Sequence, residues 1–175
     1  MRETNGLGES EEGSAMVAAK VITVSDGVMA GTREDRSGAA LADRLGELGY
    51  RIEDRWAIPD GIQSVTDALR RATTGFAGLV VTTGGTGFGP RDLTPEGTLA
   101  ILERQAPGLA EQMRAASPLG GLSRGIAGTV GTALVVNVPG SPRGAVESID
   151  AIAPLLGHAL QLLAGADTEH PASSR

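Results

Sequence analysis

The sequence predicts an α/β domain of three layers, a mostly parallel twisted sheet with helices on both faces. Three observations predict it. Apolar stretches of strand length alternate repeatedly with stretches of helical period. Leu79-Val80-Val81 and Ala133-Leu134-Val135-Val136 are apolar without alternation, as parallel strands buried on both faces are. No repeat of fixed period and no long linker divides the 175 residues.

Val17 to Ser25 has the β-branched density of a buried strand, interrupted by Lys20. A polar, glycine-containing loop follows. From Ser37 an amphipathic helix carries Leu41, Leu45 and Leu48 and is closed by Gly49. Arg51 to Ile58 alternates charged residues with Ile52, Trp56 and Ile58 and reads as a more exposed strand. Asp60 to Thr74 forms a second helix with Ile62, Val65 and Leu69 on one face, and Leu79 to Thr83 a central strand. A glycine loop runs from Gly84 to Leu93, and a helix follows with Thr94 as cap and Pro95 in its first turn, ended by Pro107. Leu109 to Ala115 is a short helix, and Ser117 to Gly131 a glycine-rich connection holding a short strand. Ala133 to Val138 is the last clear strand, and Ser141 to Ala164 the final helix, kinked near Pro154.

Residues 16–165 make the single domain, between an acidic tail at 1–15 and a polar tail at 166–175, both read as disordered. The first fifteen residues oppose Arg2 with Glu3, Glu9, Glu11 and Glu12 and have no apolar stretch, unlike a signal peptide. No run approaches the ~20 apolar residues of a membrane span. A cytoplasmic protein without a membrane role is expected.

Composition excludes several chemistries. There is no Cys, hence no disulfide, thiolate nucleophile or iron–sulfur cluster. Of the 15 basic residues only Lys20 is a lysine, and no Gly-Lys-Ser/Thr loop exists, which excludes a P-loop enzyme. A net charge of −6 with four aromatic residues argues against nucleic acid as a partner. His158 lies within the last helix and His170 in the tail, so neither a transition-metal site nor a Ser–His–Asp triad is expected.

What remains gathers at one place. Ligands of open α/β sheets sit beyond the carboxyl ends of the strands. There the sequence delivers Ser25 and Asp26, then Asp60, then the glycine loop ending in Arg91 and Asp92, then Asn137, Pro139, Gly140 and Ser141. Each has a plainer reading: Asp60 capping its helix with Gln63, Asp26 bracing a turn, Arg91 pairing with its neighbour Asp92, Ser141 capping a helix with Arg143 in solvent. The spacing of Gly85, Gly87 and Gly89 is not the dinucleotide fingerprint. The loop instead offers free backbone N–H groups, with Thr83 and Thr86 beside them, to an anion. An acid within reach of a phosphate implies Mg²⁺ between them, so the toolkit fits phosphoryl or nucleotidyl transfer.

The same residues carry a resemblance. Val24-Ser25-Asp26, Asp35-Arg36-Ser37-Gly38, Ile58-Pro59-Asp60, the run from Thr82 to Glu96, Pro107-Gly108, Leu122-Ser123-Arg124 and Asn137 to Pro142 together resemble the MogA/MoaB-like molybdopterin-binding family, from about Val17 to Leu163. The resemblance implies a trimeric α/β protein of molybdenum cofactor biosynthesis. It would join molybdopterin to AMP from Mg·ATP with release of pyrophosphate and hand on to a molybdenum-insertion protein. A MoaB-type protein that binds without efficient transfer is the alternative. By position Asp26, Asp60 and Asp92 resemble the family's functional acids, with Asp60 and Asp92 assigned to catalysis and Mg²⁺. Ser25, Asp26, Thr83, Gly84, Gly85, Thr86, Gly87, Arg91, Ser123, Asn137, Pro139, Gly140 and Ser141 are expected to bind the substrates. One departure stands out: many relatives carry Arg and Lys where this chain has Val130 and Thr132.

Overall fold

The computed structural model describes residues 16–165. The tails expected at 1–15 and 166–175 lie outside the described residues. In chain order the elements are β1 (Ala18–Val24), α1 (Asp26–Met29), α2 (Arg36–Glu47), β2 (Arg51–Ile58), α3 (Ile62–Thr73), β3 (Gly78–Thr83), α4 (Thr94–Leu99), β4 (Arg104–Gln105), α5 (Pro107–Ala115), a 3-10 turn (Gly120–Leu122), β5 (Ala127–Val130), β6 (Ala133–Val138) and α6 (Pro142–Leu163).

The sheet runs β2-β1-β3-β6-β5-β4. β2, β1, β3 and β6 are mutually parallel, while β5 is antiparallel to both its neighbours. Side-chain alternation splits the interior into two cores. Val21, Leu79, Val81, Leu134 and Val136 pack under α2, α5 and α6 through Leu41, Leu45, Met113, Ile149 and Ile152. Ile22, Val24, Val80 and Val135 face α3 through Val65, Leu69 and Ala72. Each central strand is therefore buried at every position, which is why its apolar run showed no alternation. Lys20 is accommodated on the α3 side, its Nζ donating to the Ala72 carbonyl at 3.0 Å and lying 4.0 Å from the Phe76 ring centre. On the edge strand β2 no residue is fully buried, and coverage alternates from Arg51 to Trp56, as its charges foretold.

Several boundaries differ from expectation. The polar loop after β1 contains α1, capped by Ser25, whose Oγ accepts from the Val28 N–H at 3.2 Å. α2 is capped by Asp35, which accepts from the Gly38 N–H at 2.9 Å and from the Thr23 hydroxyl at 2.8 Å. Asp60 does not cap α3; Gly61 occupies that position without a side-chain bond. Nor does Thr94 cap α4, since Leu93 does and Thr94 is already helical. α4 stops at Leu99, so Pro107 opens α5 rather than ending the preceding helix, using its missing N–H where no donor is needed. α6 runs through Pro154 as one helix.

β1 leads out to β2 on one side, whereas β3 leads onward to the β6 side. The crevice that ligands favour in such sheets therefore opens at the carboxyl ends of β1 and β3. Val130 and Thr132 lie at the opposite end, where β6 begins, and the Thr132 hydroxyl is spent on the Phe76 carbonyl at 3.1 Å. The basic residues absent there would not have faced this crevice.

Candidate functional site

A cleft of about 880 Å³ occupies that crevice. Its walls include Ser25, Asp60, Thr83 to Gly87, Asp92, Ser123 and Pro139 to Ser141. Thr83 Oγ1 donates to the Pro139 carbonyl at 2.8 Å, tying the end of β3 to the end of β6. A second, mainly apolar cavity of about 390 Å³ adjoins it, walled by α5, the 3-10 turn and the start of α6. Ser123, Pro139 and Ser141 line both spaces.

The glycine loop forms the floor. Gly84 and Gly85 have φ of 101° and 64°, which side chains other than glycine rarely adopt. Among the described residues the N–H groups of Gly85, Thr86 and Gly87 have no hydrogen-bond acceptor. The Thr86 hydroxyl is also without a partner there although the residue is only 4% exposed. Unpaired donors of this kind are costly unless something arrives to accept from them. Successive free amides at a turn with positive φ make a concavity suited to an anion.

The three acids expected to converge do so unequally. Asp60 and Asp92 line the cleft, whereas Asp26 does not. Asp26 and Asp60 exchange bonds: the Asp26 N–H donates to Asp60 Oδ2 at 2.8 Å, and the Asp60 N–H to Asp26 Oδ1 at 3.0 Å. Arg91 completes the clamp. Its Nε donates to Asp26 Oδ2 at 2.6 Å, while its Nη2 reaches Asp26 Oδ1 at 3.2 Å and the Asp60 carbonyl at 2.9 Å. Arg91 thus pairs with Asp26, not with its chain neighbour Asp92, and neither of the two lines the cleft. Asp92 Oδ2 accepts from the Gly89 N–H at 2.8 Å, holding the loop closed from within. Asp60 Oδ1 lies 3.2 Å from where a Cβ on Gly85 would sit, and Asp92 Oδ2 2.9 Å from the same position on Gly87. Both carboxylates therefore border the free amides. Asp60 Oδ1 and Asp92 Oδ1 take no donor among the described residues.

The Arg91 hydrogen bonds hold the Asp26 carboxyl below the ordinary aspartate range; burial opposes them, and the Asp60 N–H and the Arg91 charge assist. A depressed folded pKa stabilises the clamp above the unfolded value of about 3.9, and that contribution disappears as pH falls through the folded value. In a carboxyl-carbon NMR titration Asp26 should accordingly show a midpoint below about 3.9, and Arg91→Ala should raise it. A midpoint unmoved by that substitution would mean that Arg91 does not hold this acid.

Other expected residues find different roles. Asn137 is 1% exposed, and its amide is consumed by the hydroxyls of Thr82 at 2.9 Å and Thr98 at 3.0 Å and by the Ile126 N–H at 3.2 Å. It fixes the wall of the smaller cavity with both amide hydrogens committed inside the protein. Ser141 caps α6, its Oγ accepting from Gly144 at 3.2 Å with the hydroxyl proton left to donate. Arg143 lines the smaller cavity and stays exposed, its Nε donating to Glu147 at 2.6 Å in a surface pair. Reading the sequence also passed over Arg33, Arg36 and Ser37 as cleft residues. The signal was present, since Asp35 three residues before Gly38 marks a helix start whose first turn must meet the end of β1 through Thr23.

Two carboxylates beside free amides match how Mg²⁺ is usually held, by one or two acids with substrate phosphates supplying further oxygens. Among the described residues no group of three or more His, Cys, Asp or Glu could bind a metal by itself.

Comparison with known proteins agrees with the fold. The Thermus thermophilus structure titled as the molybdopterin biosynthesis enzyme MoaB superposes with a TM-score of 0.81 at 40% identity, covering 86% of this chain and 98% of that one. The protein named molybdopterin adenylyltransferase in Helicobacter pylori is 34% identical over 158 residues, 83% of this chain and 86% of that protein. The molybdenum cofactor biosynthesis bifunctional protein of Synechococcus elongatus is 36% identical over 157 residues, but only 49% of it is covered. The chain thus spans about half, or less, of several curated relatives that it matches. The family model described as "Probable molybdopterin binding domain" matches residues 20–158, and to that family the chain belongs.

Proposed function

We propose that this chain is a molybdopterin adenylyltransferase. It joins the terminal phosphate of molybdopterin to AMP from Mg·ATP, a step of molybdenum cofactor biosynthesis in the cytoplasm. The observation that carries the reading is the pair of cavities meeting at Ser123, Pro139 and Ser141 above a row of free amides. Two ring-bearing substrates need two spaces, and their phosphates must meet at the boundary.

In the reaction an oxygen of the pterin phosphate bonds to the α-phosphorus of ATP. The bond from that phosphorus to the oxygen bridging to the β-phosphate breaks, and pyrophosphate leaves. The attacking phosphate is already ionised at neutral pH, so no general base is required. The difficulty is bringing two anions together, and there the chain contributes position and charge. The N–H groups of Gly85, Thr86 and Gly87 donate to no acceptor among the described residues and are left for phosphate oxygens. Asp60 and Asp92 would hold Mg²⁺, which when bound neutralises phosphate charge and aligns the leaving group. Ser123 and Ser141 fix phosphates at the boundary. Further parts of the reading are a homotrimer, for which exposed Leu119, Leu122 and Phe88 leave apolar surface, and transfer of the product to a molybdenum-insertion protein.

The likeness to a structure titled MoaB keeps a second reading in play, a protein that holds the pterin without transfer. Incubation with molybdopterin and Mg·ATP decides between them. Stoichiometric pyrophosphate and adenylylated pterin are expected; pterin binding with no pyrophosphate above the protein-free rate would establish the second reading. Sedimentation at micromolar concentration should give three copies, and a monomer would remove the trimer.

A further inference from the structure

Four consecutive peptides of the glycine loop are gripped from behind. The Gly84 carbonyl accepts from Thr94 Oγ1 at 2.8 Å and the Gly85 carbonyl from the Thr94 N–H at 3.0 Å. The Thr86 carbonyl accepts from the Arg124 N–H at 2.8 Å and the Gly87 carbonyl from Arg124 Nε at 2.7 Å. In a planar trans peptide the N–H points opposite to the C=O. Fixing those four oxygens therefore turns the N–H groups of Gly85, Thr86, Gly87 and Phe88 the other way. These four amides have no acceptor among the described residues. Side chains hold the two ends of the run and main-chain amides of the same two residues hold its middle.

We propose that Thr94 and Arg124 are positioning residues that keep this row of amides turned toward the phosphates. The inference rests on the adenylyltransferase reading and deepens it. Neither residue reaches the ligand itself. Thr94 is fully buried. The Arg124 guanidinium also donates to the Asp92 carbonyl and is paired with Glu96, so its charge is neutralised inside the protein instead of being offered to an anion. Its bond to the Asp92 carbonyl joins the far end of the loop to the same anchor, so the acid and the amides move together. Arg supplies this because its fork presents several donors in fixed directions; a lysine ammonium has no such geometry. Losing either anchor frees a peptide to rotate, and misplacement by about 1 Å costs on the order of a hundredfold in rate.

The experiment combines calorimetric binding of inorganic pyrophosphate with Mg²⁺ and turnover with molybdopterin and Mg·ATP, in the wild type, Thr94→Val, Thr94→Ser, Arg124→Lys and Arg124→Ala. The expected result is that Thr94→Val, Arg124→Lys and Arg124→Ala weaken pyrophosphate binding by roughly tenfold and lower kcat more than they raise KM. Thr94→Ser should restore both, and added guanidinium should partly restore Arg124→Ala. Unchanged binding and turnover in the variants would overturn the proposal. So would losses in Thr94→Ser equal to those in Thr94→Val with no guanidinium rescue, because that is the pattern of general structural damage. A wild type that fails to bind pyrophosphate also overturns it. If the wild type binds pyrophosphate and the variants weaken it, yet no adenylylation occurs, the positioning role stands and the transferase reading falls.

Discussion

Asp92→Asn should lower the rate of pyrophosphate release on the order of a hundredfold or more while molybdopterin binding persists. The substitution is nearly isosteric. An asparagine Oδ1 can still accept from the Gly89 N–H, the bond that Asp92 Oδ2 now makes at 2.8 Å, so the loop keeps its internal brace. What is removed is a negative charge beside Gly87, where Mg²⁺ would be shared between protein and phosphate. Binding of a phosphate alone should survive or improve, since one repulsive charge has gone. The transition state, in which charge moves onto departing pyrophosphate, should suffer most. Isothermal binding of the pterin together with initial rates of pyrophosphate release separates the two effects. Undiminished turnover would remove Asp92 from the chemistry and leave it a loop brace.

The contrast between Asp92 and Asp26 shows what a sequence can and cannot convey. Both are acids in loops beyond the strands, and the sequence offered both to the ligands, Asp92 for catalysis and Mg²⁺ and Asp26 for substrate binding. Which one is tied up depends on Arg91, and Arg91 bonds across 65 positions to Asp26 instead of to the residue beside it. Only folding decides that choice. The layers, by contrast, were legible, because burial on both faces leaves β3 and β6 with uninterrupted apolar runs that no surface strand would carry. The placement of the glycine loop was legible for a related reason, since a sheet of this topology puts its ligand-bearing turns at one edge. The bonding of Asn137 was not legible, because nothing local reveals that two threonines take both hydrogens of its amide. Arg124 entered only as part of the Leu122-Ser123-Arg124 motif and without a role of its own, because most of its partners are carbonyls, which every residue has and no sequence distinguishes.

Gly84→Ala should destabilise the fold by about 3 kcal/mol and abolish measurable transfer together. Gly84 sits where β1, β3 and β6 end side by side. Its N–H donates to the Val138 carbonyl at 3.1 Å, its carbonyl accepts from Thr94, and its φ is 101°. A methyl group there would strike the carbonyl oxygen of Val24, which is main chain held in the sheet and cannot swing aside as a side chain could. Strain in the backbone and overpacking thus add, each typically 1–3 kcal/mol. In a domain of this size a loss of about 3 kcal/mol lowers the thermal midpoint by roughly 6–12 °C. Relief would come from shifting the start of the glycine loop, and that shift displaces the amides on which phosphate binding depends. Gly46→Ala is the matched control. Gly46 lies in α2 with nothing within 4 Å of the added carbon, so alanine there should raise stability by up to about 1 kcal/mol without touching the cleft. If the alanine variants at 84 and 46 melted alike, the tight crossing of the three strand ends would not be what demands glycine in the loop.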